Sequence, residues 1–184
     1  CNSYRYSLSR CWAPEPQAVD ASMVFIMLNP STADGQQDDN TIRRCMSFAH
    51  SNGFGAMVVV NLFAFRATNP KDLWIEDDPV GPENDEAIRH ACANERNRLV
   101  AAWGAPKHRL HDERAMSVSG ELYGRLHALR TTKHGHPRHP LYVPASALLS
   151  AWPTYRGGEG SEADAGPSQR GALADTTRKS HAGR

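Results

Sequence analysis

Two continuous apolar runs stand out in the pattern of hydrophobic and polar positions. Residues 23–28 are apolar throughout and stop abruptly at Asn29 and Pro30. A run of this length that ends at turn residues is typical of a strand buried on both faces. Residues 56–65 form a second such run, rich in β-branched and aromatic side chains, with the single amide Asn61 near its end. We predict two neighbouring central strands from these segments.

Three weaker segments complete the strand pattern. Residues 99–104 are short, apolar and end in glycine, which predicts a third strand. The pattern of residues 125–131 predicts a fourth strand. Residues 4–12 alternate aromatic or apolar with polar side chains, as a half-buried strand does.

Helical periodicity separates the central strands. In residues 41–52 the apolar side chains follow the i, i+3, i+4, i+7 spacing of one helix face. Pro82, followed by acidic residues, marks the start of a second helix that runs to about residue 97. We predict a third helix over 111–123. Alternating strands and helices predict an α/β fold, with a three-layer arrangement, a mainly parallel four-stranded central sheet and helices on both faces.

The composition changes near residue 155. Because the chain has 184 residues, one domain is the default expectation, and we assign it to residues 1–154. From 155 to 184 the chain is mostly small and polar residues with almost nothing to bury, so we predict a disordered tail. The chain begins at Cys1 rather than at Met, which leaves room for a missing N-terminal piece.

Charge, cysteine content and missing motifs limit the partners, the compartment and the cofactors that we expect. The formal net charge is +1, so nucleic-acid binding would have to come from a local basic patch. The four cysteines form no C-x-x-C pair, and we see no signal peptide or long apolar span. We therefore expect a reduced, cytoplasmic protein that does not act on membranes. No phosphate-binding loop, dinucleotide fingerprint or nucleophile elbow is present, and we expect no cofactor.

Polar residues follow the first two predicted strands at the edge where open α/β sheets bind ligands. For Asn29-Pro30 the more common explanation is a turn. For Asn61, a hydrogen-bonded network between loops and a ligand contact are about equally good explanations. An amide offers a donor and an acceptor side by side, which suits the edge of a nucleobase.

Two His-Pro pairs follow the fourth predicted strand. Each proline holds the preceding imidazole, His136 or His139, in an extended segment. Histidine titrates near neutral pH and can act as an acid or stabilise charge, although exposed histidines are also common. Customary cysteine partners for a zinc site are missing, so we assign no metal.

Basic residues in the loops after the second and fourth strands could form a rim for phosphate groups, although solvated loop charges explain them more simply. These residues are Arg66, Lys71, Arg130, Lys133 and Arg138.

Six blocks of sequence, in order, closely resemble the bacterial and phage family called domain of unknown function 1643. The resemblance covers about residues 4–145. Its blocks are residues 27–34, 39–45, 60–66, 81–85, 102–104 and 132–142.

The order of the motifs also distantly resembles the uracil-DNA glycosylase superfamily. That resemblance implies that Asn29 positions the attacking water, that Asn61 reads the base edge, and that His136 or His139 stabilises the departing base. It implies that Phe63 or Phe65 stacks on the base. The cysteines do not supply the four ligands of the iron–sulfur cluster found in some relatives. The remaining expected substrate contacts are Pro30, Ser31, Thr32, Arg66, Lys133 and Arg138.

The sequence therefore predicts a nucleobase-recognising protein that resembles a DNA N-glycosylase and acts on a flipped or modified base. The alternative is a non-catalytic module that binds a nucleotide or modified base in phage DNA modification or defence. A small-molecule enzyme on a Rossmann-like sheet is less favoured because the phosphate loop is missing. The expected partner is nucleic acid or a nucleotide, and the sequence does not predict the oligomeric state.

Overall fold

The apolar run that ends at Asn29 forms the strand around which the sheet is built. A computed structural model describes residues 3–14, 19–31 and 38–153. The predicted tail, 155–184, lies outside the described residues. The strands are β1 (Ser7–Cys11), β2 (Met23–Met27), β3 (Ala56–Asn61), β4 (Arg98–Ala101), β5 (Leu126–Ala128) and β6 (Ser150–Ala151). The helices are α1 (Asn40–Ser51), α2 (Asn84–Cys92) and α3 (Arg109–Glu121), with 3₁₀ turns at Pro70–Trp74 and Pro140–Tyr142.

The strands form one six-stranded sheet in the order β1-β3-β2-β4-β5-β6. The pairs β3–β2, β2–β4 and β4–β5 are parallel, whereas β1 and β6 add antiparallel edges. The α/β class is confirmed. The expected mainly parallel, four-stranded central sheet is not confirmed as such, because the sheet is mixed and has six strands. β6 has only two residues, too few for hydrophobic alternation to reveal a strand.

Alternating side chains of β2 enter two cores, one on each face of the sheet. Val24 and Ile26 pack in a cluster with residues of α2 and α3, and we call this face the α3 side. Met23, Phe25 and Met27 pack in the other cluster with residues of α1, and we call this the α1 side. All five side chains of β2 are buried, as expected for a parallel strand covered on both faces.

The helix ends show where local chemistry set the boundaries. Asp39 caps α1 by accepting a 2.8 Å hydrogen bond from the Ile42 N–H. The imidazole of His108 caps α3 in the same way. The second helix is shorter than predicted, because the chain turns after Cys92. Asn97 Oδ1 then accepts a hydrogen bond from the N–H of Ser22, just before β2.

Cys11, Cys45 and Cys92 are free thiols. Within the described segments, we find no helix with the length and apolar character needed to cross a membrane.

Candidate functional site

Asn29 leaves the sheet directly after β2 and is half-buried. Its Nδ2 donates hydrogen bonds to the carbonyl oxygens of Pro30, at 3.0 Å, and of Ala67, at 2.8 Å. Both partners are carbonyl oxygens, so the nitrogen and not the oxygen must face them. The Oδ1 atom makes no hydrogen bond to a described residue. Asn29 therefore presents a carbonyl oxygen whose direction is fixed by the other end of the same amide.

The chain after β3 runs beside the chain after β2. The N–H of Leu62 donates to the Met27 carbonyl at 2.8 Å, and the Ala67 N–H donates to the Pro30 carbonyl at 3.2 Å. Pro30 is buried beneath this contact. The two loops thus form one unit at the carboxyl ends of neighbouring strands.

Asn61 is the last residue of β3, pairs in register with Met27 and is 3% exposed. Strand alternation places it on the α1 side with Met57 and Val59. Its side-chain amide makes no hydrogen bond to any described residue.

His139 lies on the same side, near the start of α1. Its Nδ1 accepts a hydrogen bond from the Leu141 N–H at 3.3 Å, so in the neutral ring the proton is on Nε2. Burial lowers the pKa of His139, and the nearby Asp39 carboxylate acts in the opposite direction. Asp39 also accepts a 2.8 Å hydrogen bond from the Ser31 hydroxyl. Ser31, Asp39 and His139 therefore belong to one cluster on the α1 side.

His136 lies elsewhere. Burial lowers its pKa, and its charged neighbours are Asp112 of α3 and His134. The segment between the two histidines is extended, because Thr131 bridges Pro137 across an antiparallel pair. Residues three apart in an extended chain point to opposite faces. The structure thus separates the two histidines, with His136 on the α3 side and His139 on the α1 side.

The predicted aromatic contacts are enclosed or partly enclosed. Phe63 is 2% exposed, and its ring packs edge-on against Trp74 with 5.7 Å between centroids. A base could reach its face only if a neighbour moved. Phe65 is half-buried and contacts the ring of Tyr4.

The other predicted contacts differ in exposure. Arg66 is half-buried in the loop that follows β3, whereas Lys133 and Arg138 are exposed in the segment after β5. Thr32 lies outside the described residues. Asn29, Pro30, Ser31, Asn61 and Arg66 thus lie at or shortly after the carboxyl ends of β2 and β3. His139 lies near Asp39, at the start of α1.

Polar groups on the α3 side were not singled out from the sequence. His111 is 1% exposed, its ring is parallel to that of Trp74 at 6.5 Å, and its Nε2 is enclosed without a hydrogen-bond partner. Burial lowers the pKa of His111 to about 4. The Trp103 indole N–H and the Asn84 Oδ1 are also enclosed without partners. A histidine within a helix pattern gives no signal that distinguishes it from an exposed one.

A groove of about 630 Å³ lies between β1 and α2, away from the predicted site. Tyr6, Val58, Glu86 and His90 are among its lining residues, and none of the predicted site residues lines it. In residues 3–14, 19–31 and 38–153, no three histidine, cysteine or carboxylate side chains are grouped so that they could hold a metal ion.

Comparison with known proteins identifies a family. A family model described as "Protein of unknown function (DUF1643)" matches residues 5–141. No curated protein and no solved structure matches the chain significantly.

Proposed function

The chain belongs to the DUF1643 family of proteins of unknown function, and we propose that it recognises a nucleobase at the carboxyl ends of β2 and β3. We further propose that it cleaves the N-glycosidic bond of a flipped or modified base, as a DNA N-glycosylase does. A flipped base leaves the base stack and enters a pocket of the protein, and unstacking it costs about a few kcal/mol.

The observation that carries the proposal is the amide of Asn61. A buried amide without partners costs about 1–3 kcal/mol relative to one that is hydrogen-bonded. The neighbouring positions of β3 are apolar, so an apolar side chain at position 61 would avoid this cost. A nucleobase edge, with its donor and acceptor side by side, would satisfy the amide.

The strand order supports the location. The chain passes from β2 to β3 on one side and then crosses back to β4 on the other side of β2. In open α/β sheets, ligands bind at the carboxyl ends of the strands where the direction of winding changes. Asn29 is the first polar residue beyond β2, and it therefore lies beside this crevice.

The proposed chemistry uses Asn29 and His139. The Oδ1 atom of Asn29 accepts a hydrogen bond from the attacking water. As the bond from C1′ to the base nitrogen breaks, its electron pair goes to the base, and water oxygen bonds to C1′. The Nε2–H of His139 donates to the departing base, which takes up a proton as the water loses one. Such a dissociative path mainly requires positioning and charge stabilisation.

A second candidate is a non-catalytic module for a nucleotide or modified base in phage DNA modification or defence. It is favoured because, within the described residues, the carboxylate that bonds to the loop after β2, that of Asp39, is already engaged. The oxygens of Asp39 already accept from Ser31 and from the Ile42 N–H. Either function would operate in the cytoplasm, where free thiols are the rule.

The test is formation of abasic sites in oligonucleotides that carry uracil, hypoxanthine or modified bases. The proposal predicts strand breaks after alkali with the wild type, and their loss in Asn29→Ala and His139→Ala. His134→Ala is the matched control, because His134 is exposed in the same segment. If activity persists in His139→Ala but is lost in His136→Ala, the donor to the departing base is His136, on the α3 side. Saturable base binding without breaks would favour the second candidate.

A further inference from the structure

Arg5 and Arg66 are adjacent although they are far apart in the sequence. Tyr4 and Phe65 form an antiparallel bridge, extended by hydrogen bonds of 2.9 Å from the Arg5 N–H to the Ala64 carbonyl and from the Arg66 N–H to the Ser3 carbonyl. The two arginines therefore flank one short antiparallel pair. The sequence pattern did not single out Arg5.

The two arginine side chains share a face of this pair. The rings of Tyr4 and Phe65 contact one another, with centroids 6.2 Å apart, and Phe65 packs against the α3-side core. Successive residues of an extended chain point to opposite faces. Arg5 and Arg66 thus project to the α1 side, where Asn61 lies.

The electrostatic environment agrees with this placement. Burial lowers the pKa of Arg5, the positive charges of Arg66 and Arg10 lower it further, and Asp39 acts in the opposite direction. Arg10 is held by Asp38 at 2.8 Å. Two partly buried guanidinium groups thus lie close together, on the same side of the sheet as the amide that we propose reads a base.

We propose that Arg5 and Arg66 bind the phosphate group of a nucleotide or nucleic-acid strand whose base reaches Asn61. The planar guanidinium matches the geometry of phosphate oxygens and binds them through paired hydrogen bonds. This inference rests on the proposed function, which supplies the base. It adds that the ligand is phosphorylated, unlike a free base or a nucleoside.

The experiment measures binding of inorganic phosphate and of deoxynucleoside monophosphates by calorimetry at low salt, with the corresponding nucleosides for comparison. We expect the affinity for phosphate to fall at least tenfold in Arg66→Gln and in Arg5→Gln. Arg96→Gln is the matched control, because Arg96 is exposed and pairs with Asp20 near the amino ends of the strands. Arg5→Lys and Arg66→Lys retain the positive charge without the paired hydrogen-bond geometry, so they should bind phosphate with intermediate affinity. These variants also test the inference if a Gln variant fails to fold.

The outcomes separate this inference from the proposed function. Phosphate binding that depends on both arginines, without base binding, would retain the phosphate site and refute the nucleobase proposal. Wild-type protein that binds no inorganic phosphate at tens of millimolar would overturn the phosphate site. Equal affinities in the wild type, both Gln variants and the Arg96→Gln control would overturn it as well.

Discussion

The Nδ2 atom of Asn29 donates a 2.8 Å hydrogen bond to the carbonyl oxygen of Ala67, across the two loops that follow the central strands. A second bond from the same nitrogen reaches the Pro30 carbonyl. The amide thus has a structural function at one end and presents its oxygen at the other. A residue proposed to hold the attacking water is itself held by the backbone.

This arrangement predicts that Asn29→Ala loses stability as well as activity. Two hydrogen bonds of about 1 kcal/mol each are removed, and carbonyl oxygens at the loop contact lose a donor, so we expect the free energy of unfolding to fall by about 1–3 kcal/mol. Urea denaturation followed by circular dichroism measures this change. A variant as stable as the wild type would show that the amide does not hold the two loops together. Activity should be compared at a temperature where both proteins are folded.

Asn61→Leu should behave in the opposite way. The replacement has a similar volume and removes an amide that makes no hydrogen bond to the described chain, so we expect stability that is unchanged or higher by up to about 1 kcal/mol. Base binding should fall at least tenfold. Asn84→Leu is the contrasting variant, because the Asn84 side chain donates to the carbonyls of Asn61 and Leu62 at 3.0 Å. If Asn61→Leu loses as much stability as Asn84→Leu, the amide at position 61 is structural.

His111 predicts a specific acid sensitivity. Its pKa is lowered from 6.5 to about 4 in the folded protein, so between these values the unfolded chain binds more protons than the folded one. The free energy of unfolding should therefore fall as the pH decreases from about 6.5 to 4, by on the order of 3 kcal/mol from this group. Above pH 6.5 the contribution of His111 to the free energy of unfolding is fully present.

The matched variant for this prediction is His111→Phe. A phenyl ring preserves the parallel contact with Trp74 and removes the ring nitrogen that has no partner. We expect its stability at pH 7 to match the wild type and its decline between pH 6.5 and 4 to be smaller. Equal pH profiles, measured by urea denaturation at each pH, would show that another group controls acid unfolding.

The sequence predicted the main elements because their physical signals are local. The buried strands β2 and β3 and the amphipathic helix α1 each carry enough periodic residues to be recognised. The edge strand β6 and the antiparallel sense of β1 were not specified, because pairing direction depends on residues far apart in the chain.

The positions of the candidate residues in the fold were predictable in part for the same reason. Asn61 ends β3 and Asn29 follows the neighbouring parallel strand β2, which is a consequence of the strand pattern. The opposite directions of His136 and His139 follow from their separation by three residues in an extended segment, once that segment is known to be extended. The position of Arg5 beside Arg66 required a pairing between segments about sixty residues apart, and the pattern of each segment does not specify its partner.

The most direct test of the central claim observes the Asn61 amide itself. In nitrogen–proton correlation spectra, the side-chain NH₂ signals of Asn61 are identified by their loss in Asn61→Leu and followed during titration with a panel of free bases and deoxynucleotides. The account predicts that these signals shift saturably with at least one base, while the Asn84 NH₂ signals, whose donors face backbone carbonyls, move little. Asn61 signals that stay in place with every base and nucleotide, including ligands that bind elsewhere on the protein, would contradict it.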